Sequence, residues 1–237
     1  MTTENNSDFV PAKSVKYNSP LLAVDPRTSN QESYVKLACR TAAPLVDRQN
    51  LLHAVLGIAD ELIEISELLA DQDFEEEPSE EFILSLTKEL GDVTWFTALF
   101  ADWYGSTVAL PGDTVFMQLV EASDNKALTE QHDNPTAQLF VVDSMVRHSV
   151  YKVSAKCVSL TKKEYAYGKP IDNTIAFALF VEALYVVHML ASSFNIPFNT
   201  ILNRNIESWM LVIKVKLSLR RMLSTVMSLR NNYVGSN

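Results

Sequence analysis

Glycine is scarce, six in 237 residues, and stretches of strict apolar/polar alternation are hard to find. Both absences point away from a β architecture and towards helices. Cysteine is scarcer still. Cys39 and Cys157 lie far apart and form no CxxC pair, so a disulfide scaffold is excluded and the two read as reduced thiols of a cytosolic protein. No long Lys/Arg cluster occurs and the formal net charge is −9. Broad electrostatic binding to nucleic acid or to an anionic membrane is therefore not expected. The P-loop, GxSxG, HExxH and Cys/His-cluster signatures are missing. The opening MTTENNSDFV lacks the basic-then-apolar pattern of a signal peptide, which agrees with a cytoplasmic location.

What is present is ordinary for a globular chain: 47% hydrophobic and 21% charged residues, with enough length to bury a core. The most apolar run, IAFALFVEALYVVHML at 175–190, is broken by Glu182 and His188 and is short for a membrane span. It reads as the central helix of a bundle. Residues 1–28, rich in Ser, Asn, Thr and Pro, read as a mobile arm. Helical spacing then predicts helices over 30–42, 50–70, from the Ser79 cap to about Tyr104 with a stop at Gly105, and from an Asp113 cap to about Ser123. A polar linker near 124–135 divides the chain into halves at 29–128 and 136–232. In the second half, helices are expected over 136–163, 173–194 and 198–230. The fold class expected is all-α, an antiparallel helical bundle.

Two consecutive predicted helices carry paired acids: Glu61 and Glu64 in DELIEIS, Glu89 and Asp92 in KELGDVTWF. Residues three apart share one helix face. Leu62, Ile63, Leu90 and Val93 are woven through the pairs, so the acids border apolar strips. Two such helices packed antiparallel can aim four carboxylates at one point. Four unpaired carboxylates there repel one another, and a divalent cation resolves the conflict. Mg²⁺ takes oxygen ligands and keeps open positions for water or phosphate.

The ordered pattern, Glu61-Leu-Ile-Glu64, then residues 65–88, then Glu89-Leu-Gly-Asp92, resembles the MazG-like all-α nucleoside triphosphate pyrophosphohydrolases. HAVLGIADELIE, KELGDVTWF and YVKLACRTA (34–42) are each similar to runs of that family, and the resemblance covers about residues 31–128. It implies a bundle of MazG type and cleavage of a (d)NTP substrate to (d)NMP and pyrophosphate. Glu61, Glu64, Glu89 and Asp92 would hold Mg²⁺, or Mn²⁺ in its place, with Glu64 or Glu61 orienting or deprotonating the attacking water. It also implies a homo-oligomer, commonly a dimer, or a pseudo-dimer folded from one chain, with neither nucleic acid nor membrane as partner. Two relatives with the same helical plan are the dimeric dUTPases, whose Trp/Lys-rich stretch is missing here, and the usually shorter phosphoribosyl-ATP pyrophosphohydrolases. A catalytically silent nucleotide sensor or scaffold is the rival of another class.

The family's Asn-x-x-Lys element is split between the halves: Ser123-x-x-Lys126 keeps the lysine and Asn205-x-x-Ser208 keeps the asparagine. Lys126 and Asn205 are thus candidate substrate contacts. Phe96 either stacks a base or packs in the core, and His53 either lines the base pocket or makes a local contact. GDVTWFTALFADWYG (91–105) can be laid over VEALYVVHMLASSFN (181–195), setting Asp92 on Glu182 and Trp95 on Tyr185. Such a tandem duplication would make the chain a pseudo-dimer. The second half has no ExxE. Glu182, in a very apolar helix, needs a partner, and Arg147, His148 and Lys152 either face phosphates or are surface charge.

Overall fold

The computed structural model describes residues 20–42, 45, 47–72, 77–129 and 135–234, with side chains over 20–42, 45, 49–72, 77–127, 144, 146–215 and 218. Among the described residues, seven helices follow a short hairpin: β1 (Leu22–Val24), β2 (Gln31–Ser33), α1 (Tyr34–Thr41), α2 (Asp47–Ala70), α3 (Glu80–Val108), α4 (Gly112–Thr129), α5 (Pro135–Tyr167), α6 (Asn173–Ser193) and α7 (Phe198–Val234). The all-α expectation holds apart from the hairpin.

That hairpin corrects the sequence reading, which gave residues up to 28 to a mobile arm and began a helix at 30. Residues 1–19 of that arm lie outside the described residues. Leu22 pairs antiparallel with Ser33 and Val24 with Gln31. The turn closes on Asp25, whose buried carboxylate accepts from the Arg27 backbone N–H and side chain, at 2.9 Å from Nε and 2.6 Å from Nη2. Val24 N–H donates to Asn203 Oδ1 on α7 at 3.0 Å. Three-residue strands carry too few positions for a period-2 signal, so the pattern is invisible in sequence.

Caps fix several helix starts. Ser79 Oγ accepts from Phe82 N–H at 3.1 Å, as expected. Asp172 does the same for α6, taking Thr174 N–H at 2.8 Å and Ile175 N–H at 3.1 Å. Several boundaries differ. Helix α3 does not stop at Gly105 but runs to Val108, and Ala109 closes it with φ 56°. Gly105 is there for space: a Cβ would lie 2.6 Å from the Leu110 carbonyl oxygen. Helix α4 begins at Gly112, so Asp113 is inside it and accepts instead from Ser33 Oγ. The SDNKALT stretch, expected as linker, is helical to Thr129.

Helix α3 is the hub. Residues 90–98 are buried on every side, and α1, α2, α4, α6 and α7 all pack on it. Helix α6 meets it through Phe100 and Phe180, stacked at 4.0 Å with planes 9° apart. Burying each ring contributes on the order of 2 kcal/mol. Helix α6 is long and apolar enough to cross a membrane, and 61% of its most apolar window is buried inside the protein. Helix α5 packs on α2 and α6, and α4 packs on α6 while α7 packs on α3. Each half therefore sends its last helix onto the middle helix of the other.

Candidate metal centre

The packing of α2 on α3 brings three of the four predicted acids together. Ligand oxygens of Glu61, Glu89 and Asp92 all lie within 4.8 Å of one another. Glu64, one turn on from Glu61, stands outside that trio, near enough to Glu89 for the two carboxylates to act on each other. Glu61 feels Asp92 most strongly and Glu64 feels Glu89, the register of antiparallel neighbours.

The local electrostatics are those of an acid cluster short of positive charge. Burial, with Asp92, Glu64 and Glu89 close by, pushes the Glu61 carboxyl up to about 8. Burial and the neighbouring Glu89 carboxylate raise Glu64. Burial raises Asp92 in spite of Lys88. Lys88 is the one cation at the centre among the described residues. Its Nζ lies 2.8 and 2.9 Å from the two Glu89 oxygens and 3.1 Å from Asp92 Oδ2. These bonds hold its ammonium above its ordinary range although burial works the other way. An ammonium thus bridges two carboxylates that a divalent ion can also bridge. The donor set is oxygen only, which suits Mg²⁺ or Mn²⁺ rather than zinc.

Asp92 is supported from the second half of the chain. Its Oδ1 accepts from Asn205 Nδ2 at 2.9 Å and from Trp209 Nε1 at 3.2 Å. Tyr34 OH donates to Asn205 Oδ1 at 2.8 Å, which fixes the amide's orientation. Both Asn205 and Tyr34 are buried. Gly91 admits this contact, since a Cβ there would lie 2.9 Å from Asn205 Cβ. With Oδ1 engaged, Oδ2 is left towards Lys88. Trp209 also stacks on Trp95 at 4.5 Å, and Trp95 Nε1 donates to Thr41 Oγ1 at 2.8 Å.

A cleft of about 400 Å³ opens between α3 and α7, lined by Lys88, Asp92, Arg204, Asn205, Ser208 and Leu211 among others. Beside the acid cluster it carries two cations, Lys88 and Arg204, and one further acid, Glu207. Asn205, expected as a substrate contact, lines this cleft while bonding Asp92. His53 meets the Phe96 ring edge-on at 5.2 Å. Phe96 itself is buried over Gly57, where a Cβ would lie 2.2 Å from the ring, so packing is the role its position supports. Lys126 is turned elsewhere: its Nζ lies 2.7 Å from Glu182 Oε2 and 4.0 Å from the centre of the Tyr185 ring.

Glu182 has the partner that its apolar helix demanded. Ser149 Oγ donates to Oε1 at 2.7 Å, and Lys152 Nζ lies 3.4 Å from Oε2. Burial works against the Glu182 charge, but Lys126 and Ser149 outweigh it and hold its carboxyl below the usual value. Ser149 and Lys152 have the three-residue spacing of Glu61 and Glu64, with a hydroxyl and an ammonium where the first half has acids. Arg147 and His148 are exposed. The sequence reading missed Tyr34, Lys88 and Trp209. Trp209 was findable, because it sits one turn beyond Asn205 on the same face. Tyr34 and Lys88 carried no signal beyond their place in similar runs. Set against protein-family models, curated proteins and solved structures, the chain matches none, so what this centre can do is read from its own geometry.

Proposed function

We propose that the protein is a Mg²⁺-dependent nucleotide pyrophosphohydrolase that cleaves a (d)NTP to (d)NMP and pyrophosphate. One observation carries the reading: oxygens from Glu61, Glu89 and Asp92, on two packed helices, fall within 4.8 Å of one another. Bound there, Mg²⁺ would neutralise phosphate charge and lower the pKa of the attacking water. The chain's own residues supply the rest. Lys88 and Arg204 line the adjoining cleft and attract a polyphosphate. Glu64, the most exposed of the four acids, would orient a water and take its proton, with Glu61 as second candidate. Attack at the α-phosphorus breaks its bond to the α–β bridging oxygen, and pyrophosphate leaves.

The test is pyrophosphate release from a panel of NTPs and dNTPs, dUTP included, with Mg²⁺. Turnover is expected, and Glu64→Gln is expected to abolish it, roughly a hundredfold or more, with the circular dichroism spectrum unchanged. Release from dUTP alone would move the assignment to a dUTPase-type enzyme. A second reading, binding without turnover, has one observation in its favour: Lys126 is committed to Glu182, which leaves the first half's Ser-x-x-Lys element away from the acids. Measurable nucleotide binding with no release from any member of the panel would establish that reading and defeat the enzyme.

A further inference from the structure

Lys88 stands one residue before Glu89 and one turn before Asp92, and its ammonium reaches both. Nζ is 2.8 and 2.9 Å from the Glu89 oxygens and 3.1 Å from Asp92 Oδ2. The Asp92 contact is the common i, i+4 pairing along a helix face, whereas residues i and i+1 do not face each other. Lys88 therefore turns aside to sit astride the Glu89 carboxylate, almost equidistant from its two oxygens. Surplus negative charge draws it there, since Glu61 and Glu64 bear on the same point and feel the Lys88 charge as well.

Through Glu89 and Asp92, helix α3 brings four carboxylate oxygens to the centre, and all four are engaged. Asp92 Oδ1 accepts from Asn205 and Trp209, and Lys88 takes the other three. The two holds differ in kind. Asn205 is buried and its amide is fixed by Tyr34, so Oδ1 stays engaged. The Lys88 side chain is 54% exposed on a flexible stem, and exposed ion pairs are held weakly. Mg²⁺ takes oxygen at about 2.1 Å, crowding an ammonium already bonded to the same atoms, and two cations so close repel. A divalent ion at Glu89 and Asp92 thus requires Lys88 to leave. The same side chain lines the α3–α7 cleft with Arg204, Glu207 and Ser208, so the way out leads into that cleft.

We propose that the Lys88 ammonium and a divalent cation are alternative occupants of Glu89 and Asp92, and that Lys88, displaced by the cation, swings into the cleft and binds polyphosphate beside Arg204. The inference rests on the metal-centre reading given above. It makes the order of binding a property of one side chain. In the metal-free protein a polyphosphate meets acids, and Lys88 is committed to them. With the cation in place the acids are neutralised and Lys88 is released, so metal strengthens polyphosphate binding twice over. The coupling is reciprocal: a polyphosphate that holds Lys88 removes the metal's competitor and tightens metal binding by the same factor.

Lysine side-chain NMR on the full chain tests it, with the Lys88 ε-methylene signal identified by its loss in Lys88→Arg. Without metal the signal is expected to be ordered. Excess Mg²⁺ is expected to give it the fast mobility of an exposed lysine, and methylenediphosphonate, a non-hydrolysable pyrophosphate, to order it again. By calorimetry, Lys88→Met, with its fold checked by circular dichroism, is expected to bind Mg²⁺ about tenfold more tightly or better, and the diphosphonate more weakly by a similar factor. The wild-type NMR result does not depend on that variant folding. A Lys88 signal that stays ordered and unshifted under saturating Mg²⁺ would overturn this inference and leave the metal centre standing. No Mg²⁺ uptake by either protein would overturn both. Uptake that releases Lys88 without turnover of any nucleotide would uphold the exchange and count only against the enzyme.

Discussion

Asp92 is the residue whose setting decides the centre. It is an acid 9% exposed, and it is tolerated because three donors converge on it: Asn205 and Trp209 on one oxygen, Lys88 on the other. Asn205→Ala removes one donor and leaves the buried Tyr34 hydroxyl without its acceptor, at a cost of about 1–3 kcal/mol. Metal affinity is expected to fall about 10- to 100-fold; chemical denaturation and calorimetric Mg²⁺ titration check the two effects separately. Glu61 gives the pH dependence. In the metal-free protein it keeps its proton up to about 8, against an ordinary 4.5. The folded state therefore binds that proton more tightly than the unfolded state. Its contribution to stability is complete below pH 4.5, falls as pH rises towards about 8, and is flat beyond. Melting curves in chelator across this range should show that decline, and saturating Mg²⁺ should reduce it, because the ion replaces the proton. The acid pairs were legible because carboxylates three apart among apolar residues conflict with simple burial. Tyr34 was not, because a buried tyrosine reads as core until the amide its hydroxyl meets is known.

At the scale of elements, helices announce themselves through spacing and caps, and those two signals explain which boundaries were readable. The Ser79 start of α3 was, since a serine followed by acids and then a hydrophobic run is a local capping pattern. Ser79→Ala should cost about 1 kcal/mol, measurable as a lower denaturation midpoint. The end of α3 was not readable. Gly105 is the usual stop signal, but here it clears room for the Leu110 carbonyl, and close approach of two backbones is a tertiary fact. The hairpin was missed for the complementary reason: its strands are held by α7, through Asn203, more than by their own composition. Gly57 is a close approach of the same kind. Gly57→Ala drives a methyl into the Phe96 ring and should cost about 1–3 kcal/mol, seen as a lower melting temperature with His53 and Phe96 displaced.

Across the whole molecule the halves are interlocked. Helix α4 rests on α6 and gives Lys126 to Glu182, while α7 rests on α3 and gives Asn205 and Trp209 to Asp92. The sequence hinted at this, since the asparagine and the lysine of one element are divided between the halves, but which half each would serve depends on how the helices cross. A chain ending at residue 134 should therefore fail to form the native core, with exposed apolar surface detectable by dye binding and no saturable Mg²⁺ uptake. The interlock also has a consequence for biosynthesis. Asn205 follows Asp92 by 113 positions, so on the ribosome the acids emerge long before the amide that steadies them. During that interval Lys88, adjacent to Glu89 and one turn before Asp92, is the nearest compensating charge. A nascent chain is thereby spared a knot of bare anions, and Asp92 gains its amide only once α7 has emerged.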